Sequence, residues 1–212
     1  MSVVEDDDVP ALSAETFLVL QDFYNEQAEK DKRLKQAVDD NLLDSVEIEE
    51  DWQLSQFWYD DNTINTLAHI ALKTIGPLGK VALISCPSLY RKIKEGCGPD
   101  QQVTVFEFDK RFSIYGADFH YYDYNSPLEL GDIRPKYYDL VIADPPFLSE
   151  ECLKKTTLTM RFLTMEKIIL CTGAKMEELA EKMNLQKTRF APKHKKNLAN
   201  EFCCFANFDI NI

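Results

Sequence analysis

Apolar positions in this chain follow two periods. From Lys80 onward, short apolar runs alternate with amphipathic stretches. The runs predict strands at Val81–Ile84, Val103–Asp109, Phe119–Tyr124, Tyr138–Ala143, Lys167–Cys171, Gln186–Phe190 and Phe202–Phe208. Leu140–Ala143 is apolar without interruption, the pattern of a strand covered on both faces. Between the runs, helical spacing predicts helices at Leu89–Lys94, Glu150–Phe162 and Lys175–Met183, and a helix or turn around Arg111–Tyr115. Upstream, Ile64–Ile75 carries one broad apolar face. It is opened by Asp60-Asp61-Asn62-Thr63 and closed by Gly76-Pro77-Leu78-Gly79. Repeated strand–crossover–strand units imply an α/β fold with a mainly parallel, doubly covered sheet, and the last two strands are close enough to pair antiparallel.

Charge divides the chain in two. Residues 1–51 hold sixteen Asp/Glu against four Lys/Arg, which accounts for the whole net charge of −12, so 52–212 is balanced. We therefore expect an acidic N-terminal arm with a helix opening at Ser13 (1–51) and one domain (52–212). Ser2–Pro10 reads as a disordered acidic lead and Asp39–Asp51 as an acidic connector. The balanced remainder lacks the basic surface of a general nucleic-acid binder. Six cysteines occur, none in a Cys-x-x-Cys pair or at ligand spacing from a histidine, so no metal is expected. The acidic start is no signal peptide, and no apolar run approaches the roughly 20 residues that span a bilayer. A soluble, reduced, intracellular protein is expected.

The candidate chemistry gathers at strand ends. After Leu140–Ala143 comes Asp144-Pro145-Pro146-Phe147. Neither proline can donate a ladder hydrogen bond, and each holds the residue before it in extended backbone. The sheet edge therefore presents a carboxylate, stiff carbonyls and an aromatic ring together, where open α/β sheets bind ligands. Glu107 and Asp109 fall about 20 residues after the first strand's loop, the separation of an acid that holds ribose hydroxyls. Asp123, with Tyr124 beside it, could receive a base amino group. The first loop, Ser85-Cys86-Pro87-Ser88, contains no glycine to admit a pyrophosphate, and no P-loop motif occurs. A phosphate-free cofactor fits better, and S-adenosylmethionine is one. The aromatic stretch Trp52–Tyr59 is either core packing or the wall of a cleft.

Asp144-Pro145-Pro146-Phe147 after a buried strand resembles the Asp/Asn-Pro-Pro-aromatic motif of Rossmann-like seven-strand amino methyltransferases. Three further stretches narrow the match: Trp52-Gln-Leu-Ser-Gln-Phe-Trp-Tyr59, Ser85-Cys-Pro-Ser-Leu-Tyr90 and Phe106-Glu-Phe-Asp-Lys-Arg-Phe112. With them the chain, from Leu12 to its Asn200-Glu201-Phe202 ending, is similar to the elongation factor 1-alpha lysine methyltransferases, formerly described as N6-adenine-specific DNA methyltransferases. The resemblance implies methyl transfer from S-adenosylmethionine to a lysine of elongation factor 1-alpha, in the cytoplasm, by a monomer that needs neither membrane nor stable nucleic-acid binding. By position, Asp144, Pro145, Pro146 and Phe147 would receive the amine. Glu107 or Asp109, with Asp109 favoured, would hold the ribose, Asp123 and Tyr124 the adenine, and Ser85, Cys86 and Pro87 the methionine part. Trp58 and Tyr59 would flank the cleft. An adenine-N6 methyltransferase acting on DNA or RNA uses the same turn. Against it, no stretch is left for a target-recognition domain. Lys187, Arg189, Lys193, Lys195 and Lys196 form a basic cluster that could meet RNA phosphates or guide an acidic patch on a protein partner, although a solvated loop is the more common meaning of such a run. A catalytically silent scaffold of this fold would fail to bind the cofactor.

Overall fold

A computed structural model describes residues 13–39 and 48–210. It divides the chain into two compact units, Met1–Glu47 and Ile48–Ile212. The expected acidic lead, and residues 40–47 of the acidic connector, lie outside the described residues. In the first unit, helix α1 (Ala14–Asp39) opens where Ser13 Oγ accepts from the Thr16 amide at 3.1 Å. Among the described residues no helix is long and apolar enough to cross a membrane.

The second unit is built on seven strands: β1 (Lys80–Ile84), β2 (Gln102–Glu107), β3 (Phe119–Tyr121), β4 (Leu140–Ala143), β5 (Lys167–Gly173), β6 (Gln186–Lys187) and β7 (Phe202–Ala206). Their order is β3-β2-β1-β4-β5-β7-β6. The first five are parallel, and β7 enters antiparallel between β5 and β6. This is the Rossmann-like seven-strand methyltransferase sheet, a doubly wound order closed by an antiparallel insertion.

Strand alternation assigns the two cores. Val81 and Leu83 of β1, with Leu140 and Ile142 of β4, face α2 (Asp61–Ile75) and α3 (Tyr90–Gly96). Ala82, Ile84, Val141 and Ala143 face α4 (Glu150–Leu163) and α5 (Glu177–Lys182). All four residues of β4 are buried, as its unbroken apolar run required. Helix α2 starts where Asp60 accepts from the Thr63 amide at 2.7 Å, a cap worth about 1 kcal/mol. It stops at Gly76, whose φ of 65° suits a residue without a Cβ.

Five strands are shorter than their apolar runs suggest: β4 starts at Leu140, β7 ends at Ala206, and three others stop early for local reasons. β2 stops at Glu107 because Asp109 turns the chain, its carboxylate accepting from the Arg111 amide to cap a 3-10 segment, Lys110–Asp118. β3 stops at Tyr121 because Asp123 accepts from the Asn125 amide and starts a turn. β6 keeps only Gln186–Lys187 before the chain leaves for a long loop.

Candidate active site

Register alone brings the strand-end residues together. Ile84 of β1 pairs with Phe106 of β2 on one side and Ala143 of β4 on the other. The next residue of each strand, Ser85, Glu107 and Asp144, therefore stands in one row at the C-terminal edge. Two backbone bonds fix the row: the Ser85 amide donates to Phe106 O at 2.9 Å, and the Asp144 amide to Ile84 O at 3.0 Å. Sheet order reverses direction at β1, so this row marks the switch point where such sheets take ligands.

Above the row lies a cavity of about 530 Å³. Its wall includes Ser85, Cys86, Glu107, Asp123, Tyr124, Trp58 and the whole turn Asp144-Pro145-Pro146-Phe147. The loop after β1 turns without glycine because Ser85 itself takes the left-handed conformation, at φ 54°. That costs a non-glycine residue roughly 1–2 kcal/mol. The turn after β4 is held from both ends, by the Asp144 amide bond and by Ser149, which caps α4 by accepting from the Cys152 amide. Phe147, 43% exposed, meets Tyr124 edge-on at 5.7 Å on the cavity rim.

The wall is acidic. Its acidic side chains are Glu107, Asp123 and Asp144, and among the described residues no lysine or arginine lines it. Burial pushes Asp144 up to about 7. Glu107 is pushed up to about 7 as well, again by burial, although its Oε1 accepts from the amides of Phe108 and Asp109. Burial also keeps the Cys86 thiol protonated; it donates to Ile142 O at 3.5 Å.

Three expected residues lie off the wall. Pro87 is buried at the start of a 3-10 turn. Asp109, favoured over Glu107 on sequence, is not on the wall: its carboxylate is taken by Arg111, at 2.7 and 2.8 Å, and by the amide of Gln56, which does line the cavity, at 2.9 Å. Tyr59 sits behind the wall, 1% exposed. Conversely, the wall gains His194, Leu198, Ala199 and Asn200 from the β6–β7 loop, which the sequence marked as basic and, at Asn200, as part of the ending that carries the resemblance, but not as part of the site. This loop is tied to the aromatic stretch by two backbone bonds: the Asp60 amide to Lys193 O at 2.9 Å, and the Lys195 amide to Trp58 O at 2.8 Å. The Trp58 indole donates in turn to Ile48 O at 2.9 Å.

Known proteins match this arrangement along the whole chain. A family model described as "Probable N6-adenine methyltransferase" matches residues 50–210. The EEF1A lysine methyltransferase 1 of Mus musculus is 50% identical, over 100% of this chain and 98% of its own length. That of Homo sapiens is 48% identical over the same shares. A protein-lysine N-methyltransferase of Saccharomyces cerevisiae, EFM5, is 34% identical over 93% of this chain and 92% of its own. Among solved structures, a branched-chain polyamine synthase from Thermus thermophilus shares the fold, with a TM-score of 0.55 at 11% identity over 80% of this chain and 62% of that one. The chain belongs to the family that the model describes and that includes the EEF1A lysine methyltransferases, and is a protein-lysine methyltransferase.

Proposed function

We propose that this chain transfers a methyl group from S-adenosylmethionine to a lysine of elongation factor 1-alpha. The observation that carries this reading over adenine methylation is the sign of the wall. Among the described residues no lysine or arginine lines the cavity to receive the phosphates that a nucleotide would bring, whereas the Asp144 carboxylate suits an amine that gains positive charge as it is methylated. The names of the relatives supply the particular acceptor.

The cavity also suits the cofactor. Its volume lies within the ordinary range for small-molecule sites. Glu107 is the acid on the wall, so it, rather than Asp109, would hold the ribose hydroxyls, with Asp123 and Tyr124 at the base and the Ser85–Cys86 backbone at the methionine part. The bound sulfonium supplies a methyl in one in-line displacement, its C–S bond breaking as the N–C bond forms. The chain's task is then orientation. A neutral lysine amine has two N–H groups and one lone pair. If the Asp144 carboxylate and the Pro145 carbonyl accept the two hydrogens, the lone pair has one direction left. Phe147 and Tyr124 shield the amine from water, which favours its neutral form by desolvation.

The test is labelled methyl transfer into a cell extract, with and without nuclease. Label is expected in a nuclease-resistant band that comigrates with elongation factor 1-alpha. Label released by nuclease would move the assignment to adenine. The same reading takes the enzyme to be a cytoplasmic monomer.

Glu107 gives a prediction of its own. The ribose hydroxyls are donors, so they favour its ionised form, whereas burial alone holds it protonated up to about 7. Cofactor affinity in the wild type should therefore rise with pH and level off above about 7. Glu107→Gln should lose about 10-fold in affinity at pH 8 and bind independently of pH. Calorimetry between pH 6 and 8 checks both; an unchanged affinity in the variant would return the ribose to another acid.

A further inference from the structure

We propose that Tyr59 is a positioning residue for methyl transfer, its hydroxyl donating from behind the cavity wall to the Asp144 carboxylate. The proposal rests on the reading of Asp144 as the group that orients the amine.

Tyr59 is 1% exposed, and its hydroxyl is buried without a well-formed hydrogen bond among the described residues. Phenylalanine would fill the same space without burying a polar atom, so the hydroxyl calls for a reason. Its surroundings supply one. Tyr59 packs in one buried cluster with Cys86, after β1, and Cys171 on β5, and the pairing of Ala143 with Ile84 and Leu170 sets Asp144, at the end of β4, between the strand ends that carry them; Asp144 is the carboxylate among its ionisable neighbours. Burial pushes Tyr59 and Cys86 up, and the neighbouring Cys204 together with burial pushes Cys171 up, so all three stay neutral at physiological pH. Cys171 meets Cys204, its partner across the β5–β7 ladder, and is a second neighbour of the Tyr59 hydroxyl. Tyr59 is thus a permanent O–H donor facing a carboxylate whose ionised form it favours. Glu107 and His194 line the same cavity as Asp144. Hydrogen bonds at such sites are often long while the site is empty and tighten when substrate arrives.

The backbone of Tyr59 is fixed enough to aim the hydroxyl. It forms an antiparallel bridge with His194, and the bonds of Trp58 and Asp60 to Lys195 and Lys193 flank it. Its ring lies 5.1 Å from that of His194, which packs on Phe202 at 4.5 Å. Thr63 Oγ1 accepts from the Lys193 amide at 2.8 Å and joins the same assembly to the start of α2. With its proton donor at the back, the carboxylate is left with its remaining lone pairs directed at the amine.

Tyr59→Phe in the full chain tests this. With carbon-13 at the aspartate carboxyls, and the Asp144 signal identified by its loss in Asp144→Asn, the Asp144 midpoint should rise by about one pH unit in the phenylalanine variant. The acid limb of kcat/KM should move up by the same amount, kcat at pH 6.5 should fall about 10-fold, and KM for S-adenosylmethionine and the melting temperature should hold. In an Asp144→Asn background the tyrosine change should have no further effect on kcat. An unshifted Asp144 midpoint, or an equal loss of kcat in both backgrounds, would overturn the proposal. The titration needs no acceptor. Should the wild type methylate no protein, the functional reading fails, and the carboxyl midpoint still decides whether Tyr59 acts on Asp144.

Discussion

Asp144→Asn should lower kcat by about 10²–10³-fold while leaving S-adenosylmethionine affinity within about threefold of the wild type. The substitution is isosteric, and the turn is held by the Asp144 amide on Ile84 and by the Ser149 cap rather than by the carboxylate. What it removes is the charged acceptor at the point where the amine gains positive charge. The pH dependence follows from the same group. Burial raises the folded carboxyl to about 7, so activity should increase as pH passes through that value and the acceptor ionises. In the asparagine variant that limb should vanish. Stability moves the other way. Between the unfolded value near 4 and the folded value near 7, the native state holds a proton that the unfolded chain has released. Folding is therefore favoured by this group at low pH, and the advantage is lost as pH rises through the window. Asparagine carries no such charge, so the variant should melt at pH 7 no lower than the wild type. Methyl transfer measured beside thermal unfolding checks the pair. A variant that is both inactive and less stable would mean that Asp144 holds the structure rather than the substrate.

The sequence was most informative where chemistry and local geometry coincide. An unbroken apolar run ending in Asp-Pro-Pro-Phe can be little else than a core strand delivering a carboxylate to the sheet edge, and the structure has Leu140–Ala143 fully buried with Asp144 on the cavity wall. Choosing between Glu107 and Asp109 was beyond it. Alternation puts both on one face of an extended chain, and only the end of the ladder at Glu107 separates them. That end is set by Arg111 and by Gln56, which lies 53 positions before Asp109, a contact no local pattern encodes. The same holds for His194 and Leu198–Asn200. Their place on the wall depends on the bridge between His194 and Tyr59, and the lysines around them read as a solvated surface.

Asp109→Ala should therefore act on stability first. In the folded chain its carboxylate meets the Arg111 guanidinium, the Arg111 amide and the Gln56 amide, with the aspartate side chain only 5% exposed. The bonds from Arg111 and Gln56 hold it below the usual carboxylate range, against the opposing effect of burial. Removing one member of such a pair typically costs about 3–5 kcal/mol, and Arg111 keeps its bond to Gln56 Oε1 at 3.1 Å. Arg111, 28% exposed, can recover some hydration, which favours the lower end, about 3 kcal/mol. For a domain of this size that corresponds to a melting temperature lower by about 6–12 °C at pH 7. The pH signature is opposite to that of Asp144. A depressed carboxyl contributes stability above its unfolded value near 4 and loses it as pH falls toward the folded value, so the two proteins should converge in stability on acidification. Because Gln56 also belongs to the cavity wall, cofactor affinity should weaken only as far as the wall loosens, less than in Glu107→Gln. Thermal unfolding from pH 3 to 7, with calorimetry of cofactor binding at a temperature where both proteins are folded, separates the outcomes. A stable variant that no longer binds S-adenosylmethionine would restore Asp109 as the ribose acid; an unstable one that still binds assigns the ribose to Glu107 and leaves Asp109 as the clasp that ends β2.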